Sequence, residues 1–229
     1  MTRSANLRLA WGWVSDVDLE FGRTAYRGYH DALRLWAAHY GFGFVPTVEA
    51  FVALSPNNDY HGNLRSLSSV MASMNDGKVR EVTTYRACAK RAMSYLAGEV
   101  SFRDIVTGPK ITAFRDNILY LDDSRRVTVD GHMVCLWAGR EMTMKEAAAL
   151  MATVKYDRLE ADFKALARRV ALPPCQVQAA LWHCRKRRSG VRYDPQMDLF
   201  TGGTRWETPA RPEDYPPFDA KDPQPCSSN

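Results

Sequence analysis

Apolar side chains recur at helical spacing along most of the chain. Tyr26, Tyr29, Leu33, Trp36 and Tyr40 fall on one face of a 3.6-residue period and predict an amphipathic helix over 25–40, ended by Gly41 and Gly43. A second helix is predicted from Thr47 through Phe51 to Leu54, where Pro56 breaks it. Residues 55–63, SPNNDYHGN, read as a polar turn opening another helix. Thr83 and Thr84 are predicted caps for a helix over 85–97, closed by Gly98. After a short element at 101–105, the turn Thr107-Gly108-Pro109-Lys110 leads into a helix carrying Ile111, Phe114 and Ile118.

The second half follows the same grammar. Residues 125–130 permit a brief strand by alternation, while Asp130 equally suits the cap of a helix over 133–138. Thr143 and Glu146 have capping-box spacing and predict a helix over 144–154. Leu159, Phe163, Leu166 and Val170 mark the next helix, and Pro173 and Pro174 suit the first turn of a last one reaching about residue 187. Beyond Gly190 the composition changes: seven of the twelve prolines lie there and few aliphatic residues remain. The expected organisation is an all-α domain over 1–190 and an irregular tail over 191–229, with local packing by Phe200 and Trp206.

Composition narrows the function classes. The 229 residues are 45% hydrophobic and 25% charged, enough for a packed core, and the formal net charge of +5 suits a polyanionic partner. Five cysteines at irregular spacing, with no CxxC pair, fit reduced thiols rather than a disulfide framework. They and five scattered histidines give no metal-site pattern, and no cofactor is expected. Arg8, Asp16, Asp18 and Glu20 interrupt the first 21 residues, so no signal peptide and no membrane partner are expected; the expected location is the cytoplasm.

Candidate chemistry concentrates at 104–139. A Gly-Pro turn exposes backbone N–H groups at the start of the next helix, a seat for an anion within reach of Lys110. Asp130 lies 20 residues on, at the mouth of another helix. Two such helix starts can present a lysine and a carboxylate to one cleft, although a solvated lysine and a simple helix cap use the same residues.

The order and spacing of these residues resemble the helix-hairpin-helix DNA glycosylase superfamily, whose members carry a Gly-x-Lys hairpin turn, a helix, and a Val-Asp-x-His segment opening another helix. The matching residues here are Gly108, Pro109, Lys110, Val129, Asp130, Gly131 and His132. The resemblance implies that Asp130 is the essential carboxylate and that Lys110 occupies the position of the nucleophilic lysine of bifunctional members. The Pro-Gly-x-Gly hairpin of the superfamily is reduced to Val106-Thr107-Gly108. A narrower resemblance rests on ALSPNNDYHGN, on Tyr85 to Ala89 with Lys90, on TGPK, on VTVDGH and on Gln178-Ala-Ala-Leu-Trp182. These look like a phage group that includes the enzymes attaching an amino acid or amine to an activated 5-hydroxymethyluracil in DNA, which implies host cytoplasm as the location.

On these resemblances the expected function is transfer of an amine such as glycine onto a flipped 5-phosphomethyl- or pyrophosphomethyl-uracil. Base excision by Lys110 and Asp130 is the alternative, and a non-catalytic DNA-binding protein the third. DNA and an amine co-substrate are the expected partners, with the oligomeric state left open. Asn57, Asn58 and Asn63 either hydrogen-bond a base edge or cap a turn. Tyr60, Tyr85 and Trp137 are candidate stacking surfaces, with core packing the safer reading for Trp137. His132 either touches substrate or packs behind Asp130. Thr107, Gly108, Lys90 and the run Arg185, Lys186, Arg187 and Arg188 are the expected DNA contacts, the run equally suiting a helix C-terminus.

Overall fold

A computed structural model describes residues 3–56, 58–106, 108–189 and 211–217. Among the described residues there are eleven α-helices, two short 3-10 turns and no strand, so the chain is all-α. None of these helices is long and apolar enough to cross a membrane.

The helices are α1 (Arg3–Trp11), α2 (Asp16–Tyr40), α3 (Phe44–Ala53), α4 (Tyr60–Asp76), α5 (Arg86–Leu96), α6 (Phe102–Ile105), α7 (Pro109–Tyr120), α8 (Gly131–Ala138), α9 (Met144–Thr153), α10 (Tyr156–Val170) and α11 (Pro174–Arg188). The chain divides into two compact units, Met1–Asp31 with Gly108–Pro209 and Ala32–Thr107 with Ala210–Asn229. Helix α2 belongs to the first unit as far as Asp31 and to the second from Ala32.

In the first unit α8 is the central helix. Its Met133, Val134, Cys135, Leu136 and Trp137 are all buried, and α1, α9 and α11 pack around it. A helix that is apolar all round needs such enclosure. Trp137 and Phe163 of α10 are fully buried in this core, together with Leu7, Met133 and Leu159. The Trp137 indole N–H donates to Asp162 at 2.7 Å, which resolves that residue as core rather than as a stacking surface. The second unit is built the same way around α3, whose residues from Thr47 to Ala53 are all buried, against α4 and α5. Buried Ser66, Ser68, Ser69 and Ser73 give α4 a narrow face.

Two sequence expectations are corrected. Helix α2 starts at Asp16, nine residues ahead of the expected start at 25, because Asp18 accepts from the Ser15 amide and hydroxyl at 2.8 Å each and secures the first turn. Thr83 and Thr84 do not cap α5, whose N-cap is Tyr85. The Thr84 hydroxyl instead donates to the Pro56 carbonyl at 2.7 Å, and the Thr83 hydroxyl lies 2.7 Å from the Gly62 carbonyl. Gly41 and Gly98 end α2 and α5 with φ of +76° each. Phe200 and Trp206 lie outside the described residues. Residues 212–214 of the tail form a 3-10 turn in the second unit.

Candidate functional site

Residues 124–130 form neither helix nor strand, so their backbone must find partners elsewhere. Side chains of α10 supply them. The Tyr156 hydroxyl accepts the Val129 N–H at 3.0 Å and donates to the Val127 carbonyl at 2.6 Å. Glu160 Oε1 accepts the Val127 N–H at 2.7 Å and Arg126 Nε at 2.9 Å. Val127 and Val129 enter the core, while Thr128 Oγ1 accepts Asn117 Nδ2 at 3.0 Å and sits 3.0 Å from the Tyr26 hydroxyl, which donates to Gln178 at 2.6 Å. The alternation that permitted a strand is real, but these side chains do the work of a neighbouring strand.

This braced segment delivers Asp130 to the start of α8. One carboxylate oxygen accepts the Met133 N–H at 2.9 Å, the capping bond expected from the sequence; the other accepts the Trp182 indole N–H at 3.0 Å. The side chain remains half-buried. At Gly131 a Cβ would sit 2.7 Å from the sulfur of the exposed Met144 side chain. His132 lies edge-on to Trp182, with ring centroids 6.3 Å apart. Burial lowers the His132 pKa below that of free imidazole, Asp130 opposes the shift, and Lys186 and Arg185 add to it. A neutral imidazole and a carboxylate thus flank one indole, with Lys186 Nζ 5.4 Å from the Trp182 ring centroid.

Lys110 sits in the first turn of α7, half-buried, behind Gly108 and Pro109. Among the described residues no hydrogen bond or ion pair joins it to Asp130, whose hydrogen-bond partners are the Met133 amide and Trp182. Thr107 lies outside the described residues. A crevice of the same unit lined by Gly22, Tyr26, Leu121, Asp122, Cys175 and Gln176 includes neither residue.

The basic run at the end of α11 is divided by its partners. Arg187 pairs with the fully buried Asp18 at 2.7 Å, and Arg185 makes a two-pronged bond to Glu141 at 2.7 Å through each nitrogen. Both guanidinium groups are therefore already held by carboxylates, which narrows the expectation of phosphate contact. Lys186 lies over Trp182 and Arg188 over Trp13, the latter 4.4 Å from the ring centroid.

In the second unit, Asn58 holds a turn together. Its Oδ1 lies 2.9 Å from the Thr83 hydroxyl and its Nδ2 donates to Ser66 at 3.3 Å. Asn63 is buried and donates to the Phe51 carbonyl at 3.1 Å, while its Oδ1 has no hydrogen-bond partner among the described residues. Asn57 lies outside the described residues. Tyr85 is 58% exposed, open enough to stack on a partner, and Lys90 is exposed on α5.

Three features escaped the sequence reading: Trp182 as the partner of Asp130, Tyr156 and Glu160 as braces, and Asp18 with His183, joined at 2.6 Å across 165 residues. The AALW pattern on α11 was the only signal pointing to Trp182. Residues 3–189 match the model of a family described as a family of unknown function (DUF7178). No curated protein and no solved structure matches the chain.

Proposed function

The chain belongs to the DUF7178 family, and from that premise we propose that it is a DNA-modifying transferase of the helix-hairpin-helix glycosylase-like class. It transfers an amino acid or amine onto an activated 5-methylene of a thymine-derived base turned out of the duplex. The observation that carries the reading is the mount of Asp130: a half-buried carboxylate at the start of a buried helix, held by an indole N–H, beside His132 and Lys186. The Lys110 turn and the net charge of +5 support a polyanionic substrate.

In the reaction the neutral amine nitrogen attacks the exocyclic methylene carbon. The C–N bond forms as the C–O bond to phosphate or pyrophosphate breaks, and the leaving group departs with the bonding pair. The nitrogen gives up a proton, which Asp130 accepts. Trp182 positions that carboxylate, and Lys110 holds the leaving phosphate or the incoming carboxylate by charge.

The test is incubation with DNA bearing 5-phosphomethyluracil or its pyrophosphate, plus glycine or other amines, followed by mass analysis of the nucleosides. An amine-dependent mass gain is expected, reduced about 10²–10⁴-fold in Asp130→Asn. No gain with any amine refutes transfer. An abasic product formed without amine, with a Lys110 adduct trapped by borohydride, marks base excision instead. Full biological activity of Asp130→Asn marks a protein that binds DNA without catalysis.

A further inference from the structure

Residues 211–217 belong to the second unit, where they contact α2 and α4. Pro212 and Tyr215 are buried there, while Glu213 and Asp214 stay exposed. The Tyr215 ring stacks on His61, with centroids 5.6 Å apart and planes 15° from parallel, and its hydroxyl is hydrogen-bonded to His61 Nδ1. Trp36 packs against the same ring at 5.9 Å. Glu213 meets His39 at 3.8 Å. Burial raises the Tyr215 hydroxyl to about 12; Asp214 and Asp59 add to the rise and Arg65 opposes it. The phenol is therefore a neutral ring seated among aromatic groups, with the Glu213 carboxylate against the His39 imidazole and the Arg65 charge acting on the phenol.

A planar ring stacked on one aromatic side chain and edged by another, with an anion beside a basic group, is also how a nucleotide of single-stranded nucleic acid is held. Charge supports the comparison. Residues 190–229 hold four Lys/Arg against seven Asp/Glu, so the rest of the chain holds 27 against 19. Residues 32–107 of the second unit, against which Glu213 and Asp214 are set, hold eight Lys/Arg against six Asp/Glu.

We infer that the slot formed by Trp36, His39, His61 and Arg65 is a nucleotide-binding site for single-stranded DNA, and that residues 211–217 occupy it in cis as a nucleotide mimic. Tyr215 takes the place of the base, and Glu213 and Asp214 that of the phosphates. The inference rests on the proposal that the protein acts on DNA; it adds a second DNA contact and a means of masking it.

The experiment uses the full chain and fluorescence anisotropy at physiological salt, with a labelled single-stranded oligothymidine and a labelled duplex as probes. Glu213→Gln/Asp214→Asn alters only exposed side chains and keeps the tyrosine. Tyr215→Ala empties the ring position. Both variants are expected to bind oligothymidine at least about fivefold more tightly than the wild type. Adding His61→Ala to Tyr215→Ala abolishes the gain. Glu20→Gln/Asp157→Asn, which removes two acidic charges from the first unit, stays within about twofold of wild type, separating masking from general charge. Equal oligothymidine affinity in the wild type and both tail variants, with duplex still bound, overturns the slot and leaves the DNA reading intact. A gain in the first-unit control equal to that of the tail variants also overturns it. If no variant binds either probe, the DNA reading falls and the slot falls with it.

Discussion

Asp18→Asn tests the clasp that orients α11. The Asp18 side chain is fully buried. Its carboxylate accepts from the Ser15 amide and hydroxyl at 2.8 Å, from Arg187 at 2.7 Å, and lies 2.6 Å from His183 Nδ1. Burial alone pushes its pKa up, but the hydrogen bonds from Arg187, Ser15 and His183 outweigh it and hold the carboxyl well below the usual carboxylate range. A group with a depressed folded pKa contributes stability that is present above its unfolded value of about 3.9 and is lost as pH falls through the folded one. His183 acts in the same sense: burial lowers its pKa, Asp18 opposing, so acid must force a proton onto a buried ring. The asparagine keeps the volume and one acceptor for Ser15 but leaves Arg187 without its counter-charge. Removing one partner of a buried pair costs about 3–5 kcal/mol. Arg187 is 42% exposed and can turn to water, so the cost falls just below that range, about 2–3 kcal/mol. Urea unfolding at pH 7 measures it, and repeating the series from about pH 4 down to about pH 2, where the Asp18 contribution is lost, should show a shallower acid loss in the variant. A change below about 1 kcal/mol at pH 7, or an unchanged acid limb, refutes the reasoning.

Gly22→Ala places a Cβ 2.6 Å from the Gln176 carbonyl and 2.9 Å from the Ala180 side chain, where α2 meets α11. The alanine favours the helix by up to about 1 kcal/mol, yet the backbone clash should dominate and lower the thermal midpoint; a raised midpoint would show that α11 shifts freely. Tyr156→Phe removes the hydroxyl that joins the Val129 amide to the Val127 carbonyl, both within the core approach to Asp130. Leaving that amide without a partner should cost about 1–3 kcal/mol in denaturant unfolding. Trp182→Phe keeps the ring but loses the N–H on Asp130. It should lower amine transfer about tenfold or more with little change in the substrate concentration at half-rate, and should add little in an Asp130→Asn background.

Some of this architecture was legible from local chemistry. The Thr143–Glu146 capping box, with Thr143 Oγ1 accepting the Glu146 N–H at 3.2 Å, and the Asp130 cap depend on residues three apart, so spacing alone reveals them. Helix ends at Gly41 and Gly98 were legible because a positive φ selects glycine. The Thr83 and Thr84 caps were misread for a complementary reason: a hydroxyl before a helix has a local use, and tertiary acceptors at Pro56 and Gly62 outcompeted it. The start of α2 was missed because the apolar repeat begins at Tyr26, whereas the turn that nucleates the helix is polar.

What sequence spacing could not reveal is which long-range partner each polar group takes. Asp130 and Trp182 lie 52 residues apart, and Asp18 and His183 lie 165 apart. Both pairs converge on α11, on adjacent residues Trp182 and His183. Successive residues of a helix point about 100° apart, so one helix can present an indole to the Asp130 carboxylate while pinning its other flank through His183 and Arg187 to Asp18. The two carboxylate contacts therefore share a register. Any change that turns α11 to satisfy one must strain the other, and that coupling makes a mutation at Asp18 a test of the Asp130 mount. If Asp18→Asn lowers stability yet leaves amine transfer per folded molecule unchanged, the clasp holds the unit together without positioning Trp182. If transfer falls with it, α11 carries the geometry of the site.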